Sequence, residues 1–111
     1  MCGILGFKSF NSSLNSVVQQ SFDEALVHLS NRGPDSMTQT CIDGMRLGHT
    51  RLAIIDIVNG AQPMQTVDSR YSIVFNGEIF NYLGLRQRLI SEGVEFLTHS
   101  DTEVVLRLFE K

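Results

Sequence analysis

With 111 residues, of which 42% are hydrophobic and 19% charged, the chain has the composition of one ordinary globular domain. Its formal net charge of −3 and its lack of a basic run argue against nucleic acid or an anionic membrane surface as the main partner. No apolar run approaches the ~20 residues of a membrane-spanning helix, and two cysteines make no disulfide framework, so we expect a cytoplasmic protein with no membrane partner.

The first part of the chain is predicted to form a strand followed by a helix. Residues 1–7 are mostly apolar and include two glycines, a pattern that indicates a short buried strand. After a polar loop at 9–15, apolar residues at near-helical spacing predict an amphipathic helix over 17–29, with Ser16 as its N-cap. Turn-forming residues at 31–36 end that helix.

The middle of the chain is predicted to be rich in strands. The dipeptide Asp43-Gly44 between the runs 37–42 and 45–51 is a strong signal for a hairpin with a two-residue turn. A third extended run is predicted over 52–58, because this segment continues with Leu, Ile and Val.

The last part of the chain is predicted to hold one more strand and then helices. Pro63 keeps its neighbours out of any central strand, whereas residues 71–75 are again rich in β-forming residues. Apolar spacing predicts a second helix over 81–92, with Gly93 suited to the position after its end. Residues 94–97 are expected to be short and extended.

A capping-box pattern, Ser-Asp-Thr-Glu at 100–103, precedes the third predicted helix at 104–109. Strands are therefore clustered in the middle of the chain, with helices between and after them. This order predicts a layered α+β fold.

Cys2 is the first candidate for chemistry, because of its position. Cells generally remove an initiator methionine when the second residue is as small as cysteine. Removal of Met1 would leave Cys2 with a thiol and a free α-amine, so that one residue would carry both a nucleophile and its base. This is the N-terminal-nucleophile arrangement.

Several other polar motifs have plain structural readings when each is taken alone. Residues 32–35 can be only a turn and Asn76-Gly77 only a corner, while Arg51 can be a solvated strand residue. Asp101 can simply favour a helix N-terminus. The three histidines show no metal-ligand spacing with cysteines or carboxylates, so no metal site is predicted.

The combination of motifs is much more specific than any one of them. Six segments occur in this order: Met-Cys-Gly-Ile at 1–4, Arg-Gly-Pro-Asp at 32–35, Gly-His-Thr-Arg-Leu-Ala-Ile-Ile-Asp at 48–56, Gln-Pro-Met at 62–64, Phe-Asn-Gly-Glu-Ile-Phe-Asn-Tyr at 75–82 and Ser-Asp-Thr-Glu-Val at 100–104. Over essentially all 111 residues, the chain resembles the glutaminase domain of class II glutamine amidotransferases, of the asparagine synthetase (glutamine-hydrolysing) type. The segments at 32–35 and 62–64 resemble that type more than the glucosamine-phosphate synthase or phosphoribosyl-diphosphate amidotransferase branches, and Phe80 stands where the pattern more often has Tyr.

The resemblance implies a fold, a reaction and a set of site residues. The implied fold is an αββα sandwich of antiparallel sheets, the N-terminal-nucleophile hydrolase fold, of which residues 1–111 would be the N-terminal part. The implied reaction is hydrolysis of glutamine to glutamate and ammonia through a thioester on the cysteine. The implied catalytic residues are Cys2 as nucleophile with Asn76 and Gly77 as oxyanion donors; the implied substrate-binding residues are Arg51 for the α-carboxylate, Asp101 for the α-ammonium, and Leu52, Ile54, Asn76, Gly77 and Glu78 along the pocket.

The resemblance also implies partners. Glutamine hydrolysis would need no metal or cofactor, whereas ATP and Mg would serve only a synthetase domain that is absent from these residues. L-Glutamine and a synthetase domain or complementary chain are the implied partners, and formation of a homo-oligomer stays open. Three alternatives stay open as well: a glutaminase of another class II branch, a catalytically silent fragment that binds a partner, and a redox protein that uses Cys2 and Cys41 as a dithiol pair.

Overall fold

The structure, a computed structural model, describes residues 1–10 and 16–111, so most of the loop predicted at 9–15 lies outside the described residues. Within the described part, the chain forms three helices and two antiparallel sheets, which confirms the α+β class. The elements in chain order are β1 (Gly3–Lys8), α1 (Ser16–His28), β2 (Ser36–Ile42), β3 (Met45–Arg51), β4 (Met64–Gln65), β5 (Ser72–Ile73), α2 (Tyr82–Ser91) and α3 (Asp101–Glu110).

Strand β3 is the centre of the larger sheet, in which the strand order is β1-β3-β2, and it forms a hairpin with β2. Asp43 and Gly44 both have positive φ, at 46° and 73°, as a two-residue turn of type I′ requires. The hairpin prediction is therefore confirmed. The prediction of a buried first strand was wrong in part, since Ile4 is 48% exposed. The reason is that β1 lies at a sheet edge and α1 packs on only one face of the sheet.

Helix α1 packs closely on the centre of this sheet. Its buried residues Phe22 and Leu26 face Gly48 of β3, where an added Cβ would lie 2.9 Å from one Leu26 methyl group and 3.1 Å from the Phe22 ring. The helix therefore approaches a strand position that has no side chain. Ser16, predicted as the N-cap, is the first residue of the helix.

Residues 52–58 form an irregular loop rather than the predicted third extended run. Asp56 has a φ of 46°, outside the range of a β-strand. The carbonyl groups of Ile55, Asp56 and Ile57 all point at the guanidinium of Arg51. Successive carbonyls of a strand point in opposite directions, so three consecutive carbonyls cannot meet one side chain in a strand.

The smaller sheet pairs β4 with β5, and α3 packs against both strands while α2 packs against α3. Strand β5 is shorter than the predicted run over 71–75. Helix α2 lies close to its predicted bounds, and Gly93 has the positive φ of 87° that suits the position after its end. Among the described residues, no helix combines the length and the apolar composition needed to cross a membrane.

The N-terminus of α3 is fixed by a partly formed capping box. The Ser100 hydroxyl caps the helix by accepting from the Glu103 N–H at 3.2 Å, as predicted. The Glu103 carboxylate does not bond back to Ser100; it accepts from the N–H groups of Leu97 at 2.9 Å and Thr98 at 2.6 Å. The incoming segment is thereby tied to the helix, which places Asp101 in the first turn.

Candidate active site

A pocket of about 270 Å³ brings together segments that are far apart in the sequence. Its volume lies just below the ~300–1,000 Å³ range of drug-sized ligand sites, which suits a ligand the size of an amino acid. The structure places every residue of the predicted site on the wall of this pocket: Cys2, Arg51, Leu52, Ile54, Asn76, Gly77, Glu78 and Asp101.

Hydrogen bonds through Thr50 fix the backbone beside Cys2. The N–H of Gly3 donates to the Thr50 hydroxyl at 3.1 Å, and this hydroxyl donates to the Leu29 carbonyl at 2.9 Å. A Cβ added at Gly3 would lie only 2.5 Å from the Thr50 hydroxyl oxygen. The start of β1 is therefore tied both to the end of β3 and to the chain just after α1.

The thiol of Cys2 is half-buried and faces the backbone of Leu52. The Leu52 N–H donates to Sγ at 3.4 Å, and Sγ lies 3.7 Å from the Leu52 carbonyl oxygen. Arg32 Nε donates to the Cys2 carbonyl at 3.3 Å. Met1 also lines the pocket, so its removal would free the Cys2 nitrogen from a peptide bond and open one side of the site.

The Arg-Gly-Pro-Asp segment is more than a turn, because it fastens the end of β3. A Cβ at Gly33 would lie 2.3 Å from the Thr50 carbonyl, so only glycine fits there. The Asp35 N–H donates to the Arg51 carbonyl at 2.9 Å, and the Asp35 carboxylate accepts from the Ala53 N–H at 2.7 Å. This segment thus holds the residues on both sides of Leu52.

The Arg51 side chain is buried and holds the loop that forms one pocket wall. Nη2 donates to the carbonyls of Ile55 at 3.0 Å and Asp56 at 2.7 Å, and Nη1 donates to the Ile57 carbonyl at 2.8 Å. A guanidinium can bind a carboxylate at two points through either of two edges, and Nη2 belongs to both edges. Nη2 carries two hydrogens, and the carbonyls of Ile55 and Asp56 already accept from it. The two-point grip on a substrate carboxylate stays a prediction, and it requires one of these carbonyl bonds to open.

The Asp101 carboxylate lies at the N-terminus of α3 and is 6% exposed. One oxygen accepts from the Thr102 N–H at 2.8 Å and the other from the Ile79 N–H at 3.0 Å. Each carboxylate oxygen has a second lone pair, so the group can still accept from a ligand ammonium. The Ile79 contact also ties α3 to the segment that carries Asn76 and Gly77.

Asn76 and Gly77 lie in the exposed loop between β5 and α2. Within the described residues, no hydrogen bond engages the Asn76 side chain, so its amide is free to donate into the pocket. A Cβ at Gly77 would lie 2.6 Å from the Phe75 ring, so a larger residue at this position would require the ring to move. Glu78 adds an exposed carboxylate to the pocket wall.

Two titratable groups beside the pocket have shifted pKa values. Burial lowers the pKa of His49 below 6.5, the charge of Arg51 lowers it further, and the Phe75 backbone acts in the opposite direction. The Phe75 backbone lies close enough to affect the ring, but neither ring nitrogen of His49 makes a hydrogen bond of standard geometry within the described ranges. The pKa of Asp56 is lowered first by the His99 N–H, which donates to its carboxylate at 2.7 Å.

Sequence reasoning missed some residues that line the pocket, and the clearest is Gln62. Its segment, Gln-Pro-Met, was part of the family resemblance, but nothing in that pattern assigned the side chain to the pocket. The pocket-lining residues absent from the predicted site are Met1, Ile55, Gly60, Gln62, Phe75, Ser100 and Thr102.

The two cysteines cannot act as a dithiol pair in this fold. Gly3 lies opposite Thr50 and Cys41 lies opposite Arg46, so Cys2 and Cys41 are separated by about five residues along β3, roughly 17 Å at ~3.4 Å per residue. A disulfide needs Cα atoms within about 7 Å. The redox alternative is therefore wrong for this structure, and Cys41 is an exposed cysteine of β2.

Comparison with known proteins decides the family. All of residues 1–111 match the family described as "Glutamine amidotransferase domain". The chain belongs to this family. It is 41% identical to asparagine synthetase [glutamine-hydrolyzing] 1 of Bacillus subtilis (strain 168), over 98% of the chain and 17% of that relative.

Two eukaryotic relatives agree with this assignment. The chain is 38% identical to asparagine synthetase [glutamine-hydrolyzing] 3 of Arabidopsis thaliana, over all of the chain and 19% of that relative. It is 36% identical to a probable asparagine synthetase [glutamine-hydrolyzing] of Schizosaccharomyces pombe, over all of the chain and 20% of that relative. The resemblance to this group of amidotransferases is confirmed, and the chain spans about a fifth of the length of the curated relatives it matches.

Proposed function

We propose that this glutamine amidotransferase domain hydrolyses glutamine to glutamate and ammonia, with Cys2 as the nucleophile, as the glutaminase part of an asparagine synthetase-like enzyme. The observation that carries the proposal is the pocket itself. It combines a thiol, a buried guanidinium, a buried carboxylate and a side-chain amide that has no partner among the described residues. A zwitterionic amino acid with a side-chain amide offers a complementary group to each of these.

The first step forms a thioester on Cys2. Once Met1 is removed, the free α-amine of Cys2 accepts the thiol proton, and the sulfur attacks the γ-amide carbon of glutamine. Negative charge then develops on the amide oxygen. The Asn76 side-chain amide and the Gly77 N–H donate to this oxygen, and loss of one such donor typically costs ~2.7–4 kcal/mol of transition-state stabilisation.

The second step releases both products. When the tetrahedral intermediate collapses, the carbon–nitrogen bond breaks, and the nitrogen leaves as ammonia with the proton held by the Cys2 amine. The γ-glutamyl thioester that remains is attacked by water, which the same amine deprotonates. Cleavage of the carbon–sulfur bond then gives glutamate and restores the thiol.

Substrate orientation follows from the charged side chains on the pocket wall. The Asp101 carboxylate accepts from the α-ammonium of glutamine, and Arg51 binds the α-carboxylate. Leu52, Ile54 and Glu78 also line the pocket. The amide carbon of the side chain is thereby directed toward the Cys2 sulfur.

The fold and the size of the relatives support the larger setting of this reaction. Helix α1 lies against the larger sheet and α3 lies against the smaller sheet, an arrangement that suits the αββα sandwich of N-terminal-nucleophile hydrolases. The relatives extend well beyond the matched residues. We infer that a synthetase domain or complementary chain uses the ammonia.

Assays of ammonia and glutamate release from glutamine test the proposed function. The chain with Met1 removed should hydrolyse glutamine. Two other forms should fold but release almost no ammonia: Cys2→Ser, and a form with an added N-terminal residue that keeps Met1 in place. Cys41→Ser is the matched control and should keep the activity of the parent, because Cys41 lies outside the pocket. An N-terminally extended form as active as the trimmed one would contradict the mechanism.

A further inference from the structure

Gln62 makes an unusual set of contacts for an uncharged pocket residue. It is 7% exposed and lies on the wall of the pocket. Its side-chain oxygen accepts from the Phe75 N–H at 2.6 Å, and its side-chain nitrogen donates to the Thr102 hydroxyl at 3.1 Å. The oxygen and the nitrogen of one side-chain amide therefore bond to two different segments of the chain.

Those two segments carry the groups on which the proposed chemistry depends. Phe75 immediately precedes Asn76, the oxyanion donor, and Thr102 immediately follows Asp101, the ammonium-binding carboxylate. The amide of Gln62 thus bridges the neighbours of both functional residues.

The backbone of Gln62 is itself held by the larger sheet. Its carbonyl accepts a hydrogen bond from the Thr38 hydroxyl of β2, whose neighbour β3 ends at Arg51. The same residue therefore connects two walls of the pocket, the loop before α2 and the start of α3, and ties them to strand β2 of the larger sheet.

We propose that Gln62 is a positioning residue of the glutaminase site, which sets the separation between the oxyanion donors and the carboxylate that binds the substrate ammonium. This inference rests on the proposed function for the identity of the substrate. The geometric part, that Gln62 holds residues 75–77 and 101–102 together, stands on the hydrogen bonds and burial alone.

The contact pattern explains why glutamine is needed at this position. The bridge requires a donor and an acceptor in one group at the end of a three-carbon side chain. Methionine has a similar length and shape but supplies neither a strong donor nor a strong acceptor. Glutamate supplies both only when its carboxyl is protonated, and its ionised form would put a second negative charge near Asp101.

Two substitutions and one control test the proposal. Gln62→Met removes both contacts, and Gln62→Glu restores them in a manner that depends on pH. Gln65→Met is the matched control: Gln65 lies in β4, and its amide donates to the Ser72 hydroxyl at 3.2 Å, outside the pocket lining. All variants are prepared with Met1 removed and compared with the parent.

The first measurement is amide hydrogen exchange, which needs no catalytic activity. Gln62→Met should lower the protection of the Phe75 amide by about tenfold or more, because its acceptor is lost. Gln65→Met should leave that amide unchanged. If Phe75 keeps the protection of the parent in Gln62→Met, Gln62 does not hold the loop and the proposal is overturned.

The second measurement is the steady-state kinetics of glutamine hydrolysis. Gln62→Met should lose about 100-fold in kcat/KM, the effect expected when reacting groups are displaced by about 1 Å, whereas Gln65→Met should stay close to the parent. At each pH, the kcat/KM of Gln62→Glu is divided by that of the parent. This ratio should rise as the pH falls from about 8 to about 6, because burial raises the pKa of a carboxyl and the protonated form restores both contacts. For Gln62→Met, the same ratio of kcat/KM to the parent should not change with pH.

The two measurements separate the failure of this inference from the failure of the proposed function. If the parent hydrolyses glutamine and Gln62→Met does so equally well, the positioning role is wrong while the function stands. If the parent does not hydrolyse glutamine, the proposed function fails for this chain, and exchange at Phe75 alone decides whether Gln62 holds the pocket segments together.

Discussion

Arg51→Lys is the substitution that most directly tests how the pocket wall is built. The parent side chain makes three hydrogen bonds from a charged donor to the carbonyls of residues 55–57, at 2.7, 2.8 and 3.0 Å. These carbonyls surround two separate nitrogens of a rigid, planar group. Lysine keeps the charge but concentrates it on a single nitrogen at the end of a flexible stem.

The expected cost follows from the number of contacts that lysine cannot keep. At least one of the three carbonyls should lose its partner, and a hydrogen bond to a charged group contributes about 1.5–3 kcal/mol. The free energy of unfolding should fall by that amount if the loop stays in place. If residues 55–57 instead move out to water, the pocket wall is lost, and the KM for glutamine should rise by tenfold or more.

Denaturant unfolding and glutamine kinetics on the same preparations measure both effects. Arg46→Lys is the matched control, because Arg46 lies on the same strand, pairs with Asp23 at 3.0 Å and donates to the Gln19 carbonyl, all away from the pocket. It should change the KM very little. Unchanged stability together with an unchanged KM in Arg51→Lys would refute the role assigned to Arg51 in both the loop and the site.

Three further substitutions test other parts of the site. Asp101→Asn removes the partner of the substrate ammonium, so the KM for glutamine should rise about tenfold or more. One of its two buried backbone contacts also loses its acceptor, so the unfolding midpoint should fall as well. Asp56→Asn leaves one oxygen acceptor where the carboxylate has two, so the protection of the His99 amide against hydrogen exchange should fall and the KM for glutamine should rise. Asp68→Asn is the control: Asp68 bonds within its own turn, so its substitution should change neither quantity. Because the pKa of Asp56 is lowered, this contact persists at neutral pH and is lost only in acid, below the ordinary carboxyl range. In the parent, the unfolded chain takes up a proton at His49 as pH falls below about 6.5, whereas the buried ring does not. The free energy of unfolding of the parent should therefore fall with falling pH, by at most ~1.4 kcal/mol per pH unit from this group. His49→Leu should remove this contribution and flatten the dependence of stability on pH.

Each of these expectations has a result that would contradict it. Glutamine binding equal to that of the parent in Asp101→Asn would show that the carboxylate serves only the start of α3. Equal effects of the Asp56 and Asp68 substitutions would show that the contact to His99 is not specific to the pocket. An identical slope of stability with pH in His49→Leu would show that the buried ring is not the group that resists protonation.

Local chemistry made part of the fold predictable from the sequence. Asp43 and Gly44 adopt positive φ at low cost, so their dipeptide fixed the hairpin and its register. The apolar spacing that buries Phe22 and Leu26 predicted α1. In each case the residues that decide the structure are close together in the chain.

The loop over 52–58 was mispredicted because a residue outside it decides its conformation. Its Leu, Ile and Val favour a strand, but the buried Arg51 guanidinium draws three successive carbonyls to one point. Local propensity cannot anticipate such a contact, since it depends on where the rest of the fold buries the charge. Two of the exposed apolar residues in this loop, Ile54 and Ile57, show that the segment is no core strand.

The candidate site, too, was predictable from the sequence only in part. Cys2, Arg51 and Asp101 were assigned through the order of motifs along the chain, and the structure places them on one pocket. Gln62 could not be assigned in that way, because its contacts join it to residues 13 and 40 positions further along the chain. A contact between distant segments becomes visible only once the fold brings them together.

Mass spectrometry after incubation with a glutamine-mimicking alkylating agent tests directly whether Cys2 is the nucleophile of a glutamine-binding pocket. We expect that Met1 is absent, that one label is attached to Cys2, and that excess glutamine slows the labelling. Cys41, the exposed cysteine of β2, is an internal control and should react slowly and without protection by glutamine. Labelling of Cys41 as fast as Cys2, or labelling of Cys2 that glutamine does not slow, would contradict the assignment of Cys2 as the nucleophile of a glutamine-binding pocket.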